Sequence, residues 1–242
     1  MRWLIISAAL AVVSGCATGT PLGARASLRD GYEPLARATP VEIPFEAVDD
    51  AAAPAPIAVK PGARDNTVAL ARKLVGAQHV RINGKTWGDD CTGLVRGVYD
   101  SVGVNLMTEG EAGDNGVTAI WRFASKHGRL YTGGRPVAGD LVFFRETYDR
   151  NRDGTLNDGL THIGLVEGVD ASETVTVIHR VAKGIVRYRM NLKQPTESRN
   201  AQGVIVNDWL RDTHSGAAAQ LTSQLFVGYA TLLPVESSLA KR

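Results

Sequence analysis

The stretch THIGLVEGVDASETVTVIHR, residues 161–180, decides the fold of this chain. Two runs rich in Val, Ile and Thr flank a short polar segment. Their side chains alternate with a period of two, which predicts a β-hairpin. If residues 169–172 form the turn, His162 and His179 lie directly opposite each other on one face, with Cβ atoms about 5 Å apart. The stretch therefore predicts an antiparallel strand pair that carries two neighbouring histidines.

The segments around this hairpin divide the chain into a helical half and a strand half. Three segments with apolar residues at helical spacing come first: NTVALARKLVGA (66–77), DDCTGLVRGVYDSVG (89–103) and GVTAIWRFASKHG (116–128). Asn66 or Thr67 is the predicted N-cap of the first helix. Strand patterns follow in GDLVFF (139–144), GIVRYRMNL (184–192) and LFVGYATLLP (225–234). Helices followed by strands predict an α+β fold in which N-terminal helices pack on an antiparallel sheet.

The second predicted helix carries a cysteine, Cys91, in its first turn. Asp89 or Asp90 can cap this helix. A helix N-terminus favours the thiolate over the thiol, and its free N–H groups can hold a developing oxyanion. The Asp90 carboxylate would oppose ionisation unless it points away and caps. Gly93, without a side chain, would let a substrate backbone come close.

The N-terminal segment MRWLIISAALAVVSGC, residues 1–16, has one basic residue and then an apolar run that ends in small residues. This pattern predicts an export signal, residues 1–15. The residues before Cys16 resemble the lipobox of bacterial lipoproteins. The resemblance implies lipidation of Cys16, a membrane anchor, and a place at the outer membrane or in the periplasm. An ordinary secretory signal is the alternative. If Cys16 carries lipid, Cys91 has no partner for a disulfide.

Residues 16–63 are rich in Ala and Pro and lack a sustained period, which predicts a disordered tether before a folded domain at 64–236. The chain of 242 residues has a net charge of +2, and its basic residues do not form runs. This balance argues against a nucleic-acid partner. It leaves the oligomeric state open.

Several motifs together resemble the NlpC/P60 cysteine peptidases. They are DDCTGLVRGVYDSVGV (89–104), RPVAGDLVFF (135–144), THIGLVEGV (161–169) and VIHR (177–180). The resemblance implies a papain-like fold and hydrolysis of an amide bond in peptidoglycan stem or cross-link peptides. It also implies that Cys91 is the nucleophile, His162 the general base and His179 the residue that orients His162, in a thioester mechanism that requires no cofactor. The related CHAP family shares this layout but usually has Asn or Glu in the third place.

Two departures from the NlpC/P60 pattern leave alternatives open. Thr92 stands in the place of a serine, and the stretch GAQHVRINGKTWGDD (76–90) lacks the tyrosine often found before the cysteine. His79 or Trp87 stands near that place, and the predicted substrate-binding residues are Trp87, Asp90 and Gly93. The alternatives are a CHAP-type N-acetylmuramoyl-L-alanine amidase, a non-catalytic peptidoglycan-binding lipoprotein, and an acyltransferase that uses the same thioester.

The segment DRNRDGTLNDG, residues 149–159, has the spacing of an EF-hand-type calcium loop over its first nine positions. Its predicted ligands are Asp149, Asn151, Asp153, the Thr155 carbonyl and Asn157. The twelfth position is Leu160 where a glutamate is expected, and Asp158 or a water could substitute. A structural Ca²⁺ is one interpretation, and a polar turn between two strands is the other.

Overall fold

A computed structural model of the protein describes residues 57–213 and 218–235. The predicted signal segment, Cys16 and most of the predicted tether lie outside the described residues. The helices are α1 (Ala63–Leu74), α2 (Cys91–Asp100), α3 (Gly116–His127) and α4 (Thr222–Leu225). The strands are β1 (Arg81–Ile82), β2 (Lys85–Thr86), β3 (Arg129–Tyr131), β4 (Leu141–Arg145), β5 (Leu160–Val169), β6 (Val175–Val181), β7 (Gly184–Met190), β8 (Trp209–Arg211), β9 (Gln220–Leu221) and β10 (Phe226–Thr231).

The main sheet has six strands in the order β3-β10-β4-β5-β6-β7, and all neighbours are antiparallel. Helices α1 to α3 come before the strands β3 to β10 in the chain, and only the short strands β1 and β2 lie among these helices. The predicted α+β fold, with N-terminal helices and an antiparallel sheet, is therefore confirmed. Within the described ranges, no helix is long and apolar enough to cross a membrane.

Both faces of the central strands are buried, and each face contributes to its own apolar cluster. In β4, Leu141 and Phe143 belong to the cluster that includes the helices α1 to α3. The alternate residues Val142 and Phe144 belong to a second cluster with Leu225 of α4. The period of two along each strand thus divides the core between the helices on one face and the C-terminal segment on the other.

A buried ion pair joins the first helix to the sheet. The Arg64 guanidinium donates to the Asp140 carboxylate at 2.9 Å and to the Ala138 carbonyl at 2.8 Å. The other oxygen of Asp140 accepts from the Tyr131 hydroxyl and from the Val137 N–H. Because both charges are buried and hydrogen-bonded, neither is left uncompensated. This pair holds α1 at the start of β4. The loop of residues 146–159 follows the other end of that strand.

The register of the β5–β6 hairpin differs from the prediction. The partners are Leu165↔Ile178 and Val166↔Val177, then Gly168↔Thr176 after an irregularity at Glu167. The turn closes from Asp170 to Thr174, so it begins one residue later and ends two residues later than the predicted turn at 169–172. A bulge adds a residue to one strand and shifts the pairing beyond it. His162 and His179 are therefore diagonal neighbours, not direct partners.

The first helix begins earlier than predicted. It starts at Ala63 after Gly62, which has a φ of 75° and no side chain with which to cap. Neither Asn66 nor Thr67 caps it, because the Thr67 hydroxyl instead bonds back to the Ala63 carbonyl at 2.9 Å within the helix. Ahead of it, Ile57 and Val59 already pack against the core, so packing extends into the last residues of the predicted tether.

Candidate active site

Cys91 is the first residue of α2, as the sequence predicts. Asp90 is the N-cap, with an extended backbone, and its Oδ1 accepts from the Gly93 N–H at 2.6 Å. The same oxygen accepts from the Thr92 hydroxyl at 2.8 Å. The Asp90 carboxylate is thus committed to capping, which fixes the first turn of the helix under Cys91. This contact gives Asp90 a structural role at the helix cap, and its predicted substrate contact stays a prediction.

Gly93 is buried, and its missing side chain serves the packing of the chain itself. A Cβ at this position would overlap the Gly88 carbonyl oxygen. The loop before α2 therefore folds back over the first turn of the helix, and only glycine leaves room for it. This finding corrects the prediction that Gly93 admits a substrate backbone.

Trp87 belongs to the same loop and is partly buried against the core. Its ring packs on Gly97 of α2, where a Cβ would lie 3.1 Å from the indole. The Lys85 ammonium lies 3.7 Å from the ring centroid, and the Arg96 guanidinium lies 5.6 Å away. These contacts give Trp87 a packing role beside α2 instead of the predicted substrate contact.

His79 and Asp89 form a hydrogen-bonded pair on this loop. His79 Nδ1 lies 2.7 Å from Asp89 Oδ2, and Asp89 Oδ1 accepts from the Val80 N–H at 2.9 Å. The pair therefore ties residues 79–80 to the residue two places before Cys91.

The N-terminus of α2 meets the sheet at β5. The backbone N–H of Ile163 hydrogen-bonds to the Cys91 sulfur and lowers the pKa of the thiol. His162 is the neighbouring residue on that strand. In this region β5 pairs with β4, as in Phe144↔His162, whereas its pairing with β6 begins only at Leu165↔Ile178. The strands β5 and β6 thus part beside Cys91, and the two predicted histidines lie at that opening.

The two histidines contact each other directly. His162 Nε2 lies 2.8 Å from His179 Nδ1, and the rings are at 80°. Continuing the register from Leu165↔Ile178 places His179 opposite Gly164. A Cβ on Gly164 would overlap the Val177 side chain and lie 3.3 Å from the His179 Cβ. The absence of a side chain at Gly164 therefore lets His179 reach diagonally to His162.

This geometry assigns the ring nitrogens of His162. Since Nε2 faces His179, Nδ1 is the nitrogen that can take up a proton from a thiol. For Nδ1 to act as the base, His162 must carry its hydrogen on Nε2 and donate it to His179 Nδ1, which fixes the ring orientation. His179 Nε2 is buried and has no hydrogen-bond partner among the described residues. The His179 ring also packs on Tyr188, with centroids 4.4 Å apart at 68°.

The site holds both the thiol and the imidazoles uncharged. Burial, together with the Asp90 charge, raises the pKa of Cys91 to about 11, despite the backbone N–H groups of Ile163 and Thr92. Burial lowers the pKa of His162 to about 4, and it lowers the pKa of His179 well below its ordinary value. Desolvation of the thiol therefore outweighs the N-terminal field of the helix, which the sequence analysis expected to favour the thiolate.

The loop after β4 adds an exposed aromatic side chain that the sequence analysis missed. The Thr147 N–H donates to the Thr161 hydroxyl at 2.8 Å, and both threonines are buried. Tyr148 follows directly and is 48% exposed. Partial burial raises the pKa of Tyr148, and the negative charge of a Cys91 thiolate would raise it further. A signal was present in RETYDRNR (145–152), where a lone tyrosine stands between charged residues.

The predicted calcium ligands form a connected loop. Asp149 Oδ2 accepts from the Gly154 N–H at 2.8 Å, while its Oδ1 is buried and has no hydrogen-bond partner in the described parts of the chain. Asn151 Oδ1 accepts from the Asp153 N–H at 2.9 Å, and Asp153 Oδ1 accepts from the Thr155 N–H at 2.8 Å. These side-chain oxygens therefore accept from backbone N–H groups within the loop itself.

The loop departs from a full calcium site at two points. Leu160, at the twelfth position, begins β5, and Asp158 Oδ2 accepts from the Arg150 N–H at 2.6 Å. Across residues 57–213 and 218–235, no group of three or more His, Cys, Asp or Glu side chains is placed to hold a metal ion. An ion here would depend on amide and carbonyl oxygens as well as on carboxylates.

Comparison with known proteins identifies the domain. Residues 80–180, which include Cys91, His162 and His179, match the family model of the CHAP domain. The predicted resemblance to an NlpC/P60- or CHAP-type domain is confirmed for residues 80–180, and the match is with CHAP, the second of the two families. CHAP domains are typically hydrolases, either amidases or peptidases.

Solved structures give a weaker similarity. The crystal structure of Ly7917 has a TM-score of 0.41 and 14% identity, over 70% of this chain. The crystal structure of Ly7917 with the hydrolyzing product of MDP has a TM-score of 0.40 and 14% identity, again over 70% of this chain. The chain spans 62% of the length of these neighbours. No curated protein matches the sequence.

The uncharged site predicts how Cys91 reacts with iodoacetamide. In a Cys16→Ser background, where Cys91 is the single thiol, the alkylation rate should rise about tenfold per pH unit from pH 6 to 10, because only the thiolate reacts. A plateau is expected near pH 11. The measurement is the alkylation rate by intact-mass analysis, with a free cysteine peptide as the reference. A plateau at or below pH 7 would show a resting thiolate and contradict this assignment.

Proposed function

We propose that this protein is a peptidoglycan hydrolase that cleaves an amide bond in a stem or cross-link peptide through a Cys91 thioester. The observation that carries the proposal is the contact of the Cys91 sulfur with Ile163, beside a histidine pair joined at 2.8 Å. Nucleophile, base and orienting residue are the three parts that such chemistry needs. The CHAP match supports the same reaction class.

The reaction begins from the neutral thiol. His162 Nδ1 accepts the thiol proton as Cys91 Sγ bonds to the substrate carbonyl carbon, so the charged pair forms only during attack. His179 Nδ1 accepts from His162 Nε2 and keeps the ring aligned. In α2 the N–H groups of Cys91 and Thr92 precede the first intrahelical bond, which Leu94 makes to Asp90. They are therefore available to stabilise the oxyanion.

The second half returns the enzyme to its starting state. The imidazolium of His162 gives its proton to the leaving amine as the C–N bond breaks, which leaves the acyl group on Cys91. Water then adds to the thioester carbonyl as His162 Nδ1 accepts one of its protons. The C–S bond breaks, and His162 returns that proton to the Cys91 sulfur. The released carboxylic acid loses its own proton to solvent and leaves as a carboxylate. No cofactor takes part in these steps.

The CHAP match favours one alternative bond, the amide between muramic acid and L-alanine. An amidase would use the same three residues. The peptidase and amidase proposals therefore differ only in which amide bond of the substrate is placed at Cys91. Mass analysis of the released fragments distinguishes them. An endopeptidase leaves the stem attached to the sugar, whereas an amidase separates the stem from it.

Substitutions at the three catalytic positions test the proposal. Cys91→Ala should abolish fragment release from purified peptidoglycan. His162→Ala should lower kcat by about 10²–10⁴-fold, the usual contribution of a general base. His179→Ala should cost about 10–100-fold, as loss of an orienting partner does. His127→Ala, which removes a histidine paired with Glu109 elsewhere, should leave the rate unchanged. Fragment release by Cys91→Ala at the wild-type rate would show that Cys91 is not the nucleophile, whereas no release by the wild type would indicate a non-catalytic binding protein.

We also propose that residues 149–157 bind a structural Ca²⁺ through Asp149, Asn151, Asp153, the Thr155 carbonyl and Asn157. The support is the buried Asp149 Oδ1, an acceptor without a protein donor within the described residues. Such an ion would order the loop that enters β5 just before His162.

Calcium should raise the melting temperature of the wild-type protein by several degrees at about 100 times Kd, where binding adds about 2.7 kcal/mol. Asp149→Ala should abolish this shift, and Glu111→Ala, at an exposed acidic position, should retain it. The measurement is thermal unfolding with Ca²⁺, with Mg²⁺ and with chelator. Identical melting and activity with Ca²⁺ and with excess chelator would exclude the site.

We propose further that the chain is exported and anchored to a membrane, at the outer membrane or in the periplasm, by lipid on Cys16. The support is the sequence pattern of residues 1–16. Cys16→Ala should move the protein from the membrane fraction to the soluble fraction of a bacterial host and abolish labelling by a radioactive fatty acid. Equal labelling of both forms would refute the anchor.

A further inference from the structure

One nitrogen of the histidine pair has no conventional hydrogen-bond partner. His179 is 1% exposed, and its Nε2 is buried without a partner among the described residues. His179 Nδ1 lies 2.8 Å from His162 Nε2. When Nδ1 is the acceptor in that bond, a neutral His179 carries its own hydrogen on Nε2. A buried N–H that bonds to nothing is costly and rare, so the surroundings of this nitrogen call for a physical account.

Tyr188 of β7 brings an aromatic ring against His179. Strands β6 and β7 pair with Val177↔Tyr188 and His179↔Val186. Opposite residues share a face of the sheet, and so do residues two apart on one strand. Tyr188 and His179 are therefore diagonal neighbours on the same face. Their ring centroids lie 4.4 Å apart at 68°. In such an arrangement the edge of one ring points toward the face of the other.

Two aromatic neighbours share the ring of His179. Within the described parts of the chain, the rings that contact it are those of His162, with centroids 5.0 Å apart, and Tyr188. Because His162 occupies Nδ1, the Tyr188 ring is the neighbour that can receive the hydrogen on Nε2. The face of an aromatic ring is negative, and it accepts an N–H as a weak hydrogen bond.

The charges around this ring keep His179 neutral. Burial lowers the pKa of His179 most, and the charges of His162 and Lys183 lower it further. The Lys183 ammonium lies over the Tyr188 ring, 5.2 Å from its centroid. A positive charge in this place disfavours a second proton on His179, so the imidazolium that forms during attack stays on His162.

We propose that Tyr188 is a positioning residue of the active site, whose ring face accepts the Nε2–H of His179. This contact selects the His179 tautomer with a lone pair on Nδ1. That lone pair accepts from His162 Nε2 and leaves His162 Nδ1 free for the thiol proton. The catalytic effect rests on the proposed function. Tyr188 acts through His179 and takes no part in the bonds that form and break.

The ¹H and ¹⁵N NMR signals of the His179 side chain test this contact without a substrate. In the wild-type protein at pH 7, we expect the hydrogen on Nε2. It should be shifted upfield by the Tyr188 ring and show nuclear Overhauser effects to the ring protons of Tyr188. Tyr188→Phe should keep these signals, because the ring is kept, whereas Tyr188→Leu should lose the upfield shift. A wild-type His179 with its hydrogen on Nδ1, or with an unshifted Nε2–H, would overturn the proposal even if a variant fails to fold.

The rate of fragment release from purified peptidoglycan tests the positioning role. Tyr188→Leu should lower kcat about 2- to 5-fold, the factor that corresponds to a weak N–H···π bond. KM should stay unchanged, because the contact aligns the base and does not bind substrate. Tyr188→Phe should match the wild type in both constants.

The outcomes separate this inference from the proposed function. A folded Tyr188→Leu protein with the wild-type kcat would overturn the positioning role and leave the hydrolase standing. A lowered kcat in Tyr188→Phe equal to that in Tyr188→Leu would assign the effect to the hydroxyl and likewise overturn the role of the ring face. A wild type that releases no fragments would remove the proposed function and with it the catalytic effect, while the NMR signals would still decide whether Tyr188 accepts the Nε2–H.

Discussion

The site depends on the place where the N-terminus of α2 meets the sheet. Strands β5 and β6 pair from Leu165↔Ile178 onward and part before it, and the Cys91 sulfur takes the Ile163 N–H in that region. The same separation leaves room for the two histidine rings. The loop over Gly93 and the cap from Asp90 then fix the helix in this position. The nucleophile thus lies at the residue that follows His162, where the two strands cease to pair.

The same packing sets the electrostatics. A helix N-terminus stabilises a thiolate, but here burial and the Asp90 charge act against it and prevail. The pKa of Cys91 is raised to about 11 and that of His162 is lowered to about 4, so both groups rest uncharged at neutral pH. Charge develops only when the substrate carbonyl is attacked, where the backbone N–H groups of α2 can stabilise it.

The alternation of apolar residues with a period of two predicted the main strands. The helical spacing of apolar residues and the Asp cap predicted α2. Both patterns are readable because they depend on residues close together in the sequence. The direct opposition of His162 and His179 was wrong, since a bulge at Glu167 and a longer turn depend on packing that alternation does not encode. The role of Gly93 was predicted wrongly, because the Gly88 carbonyl that leaves no room for a side chain at Gly93 belongs to a loop that folds back over α2. Tyr148 was missed because loops carry no periodic signal. The β1–β2 hairpin was predictable from Asn83–Gly84, a two-residue turn with positive φ at both positions.

The most direct test of the central claim, an uncharged thiol and imidazole held between β5 and β6, is ¹⁵N NMR of the histidine side chains in the wild type and in Cys91→Ser. At pH 7, we expect His162 to be neutral with its hydrogen on Nε2, to titrate only near pH 4, and to be the same in both proteins. A His162 that is charged at pH 7 in the wild type and becomes neutral in Cys91→Ser would reveal a thiolate–imidazolium pair. That result would contradict the proposed resting state.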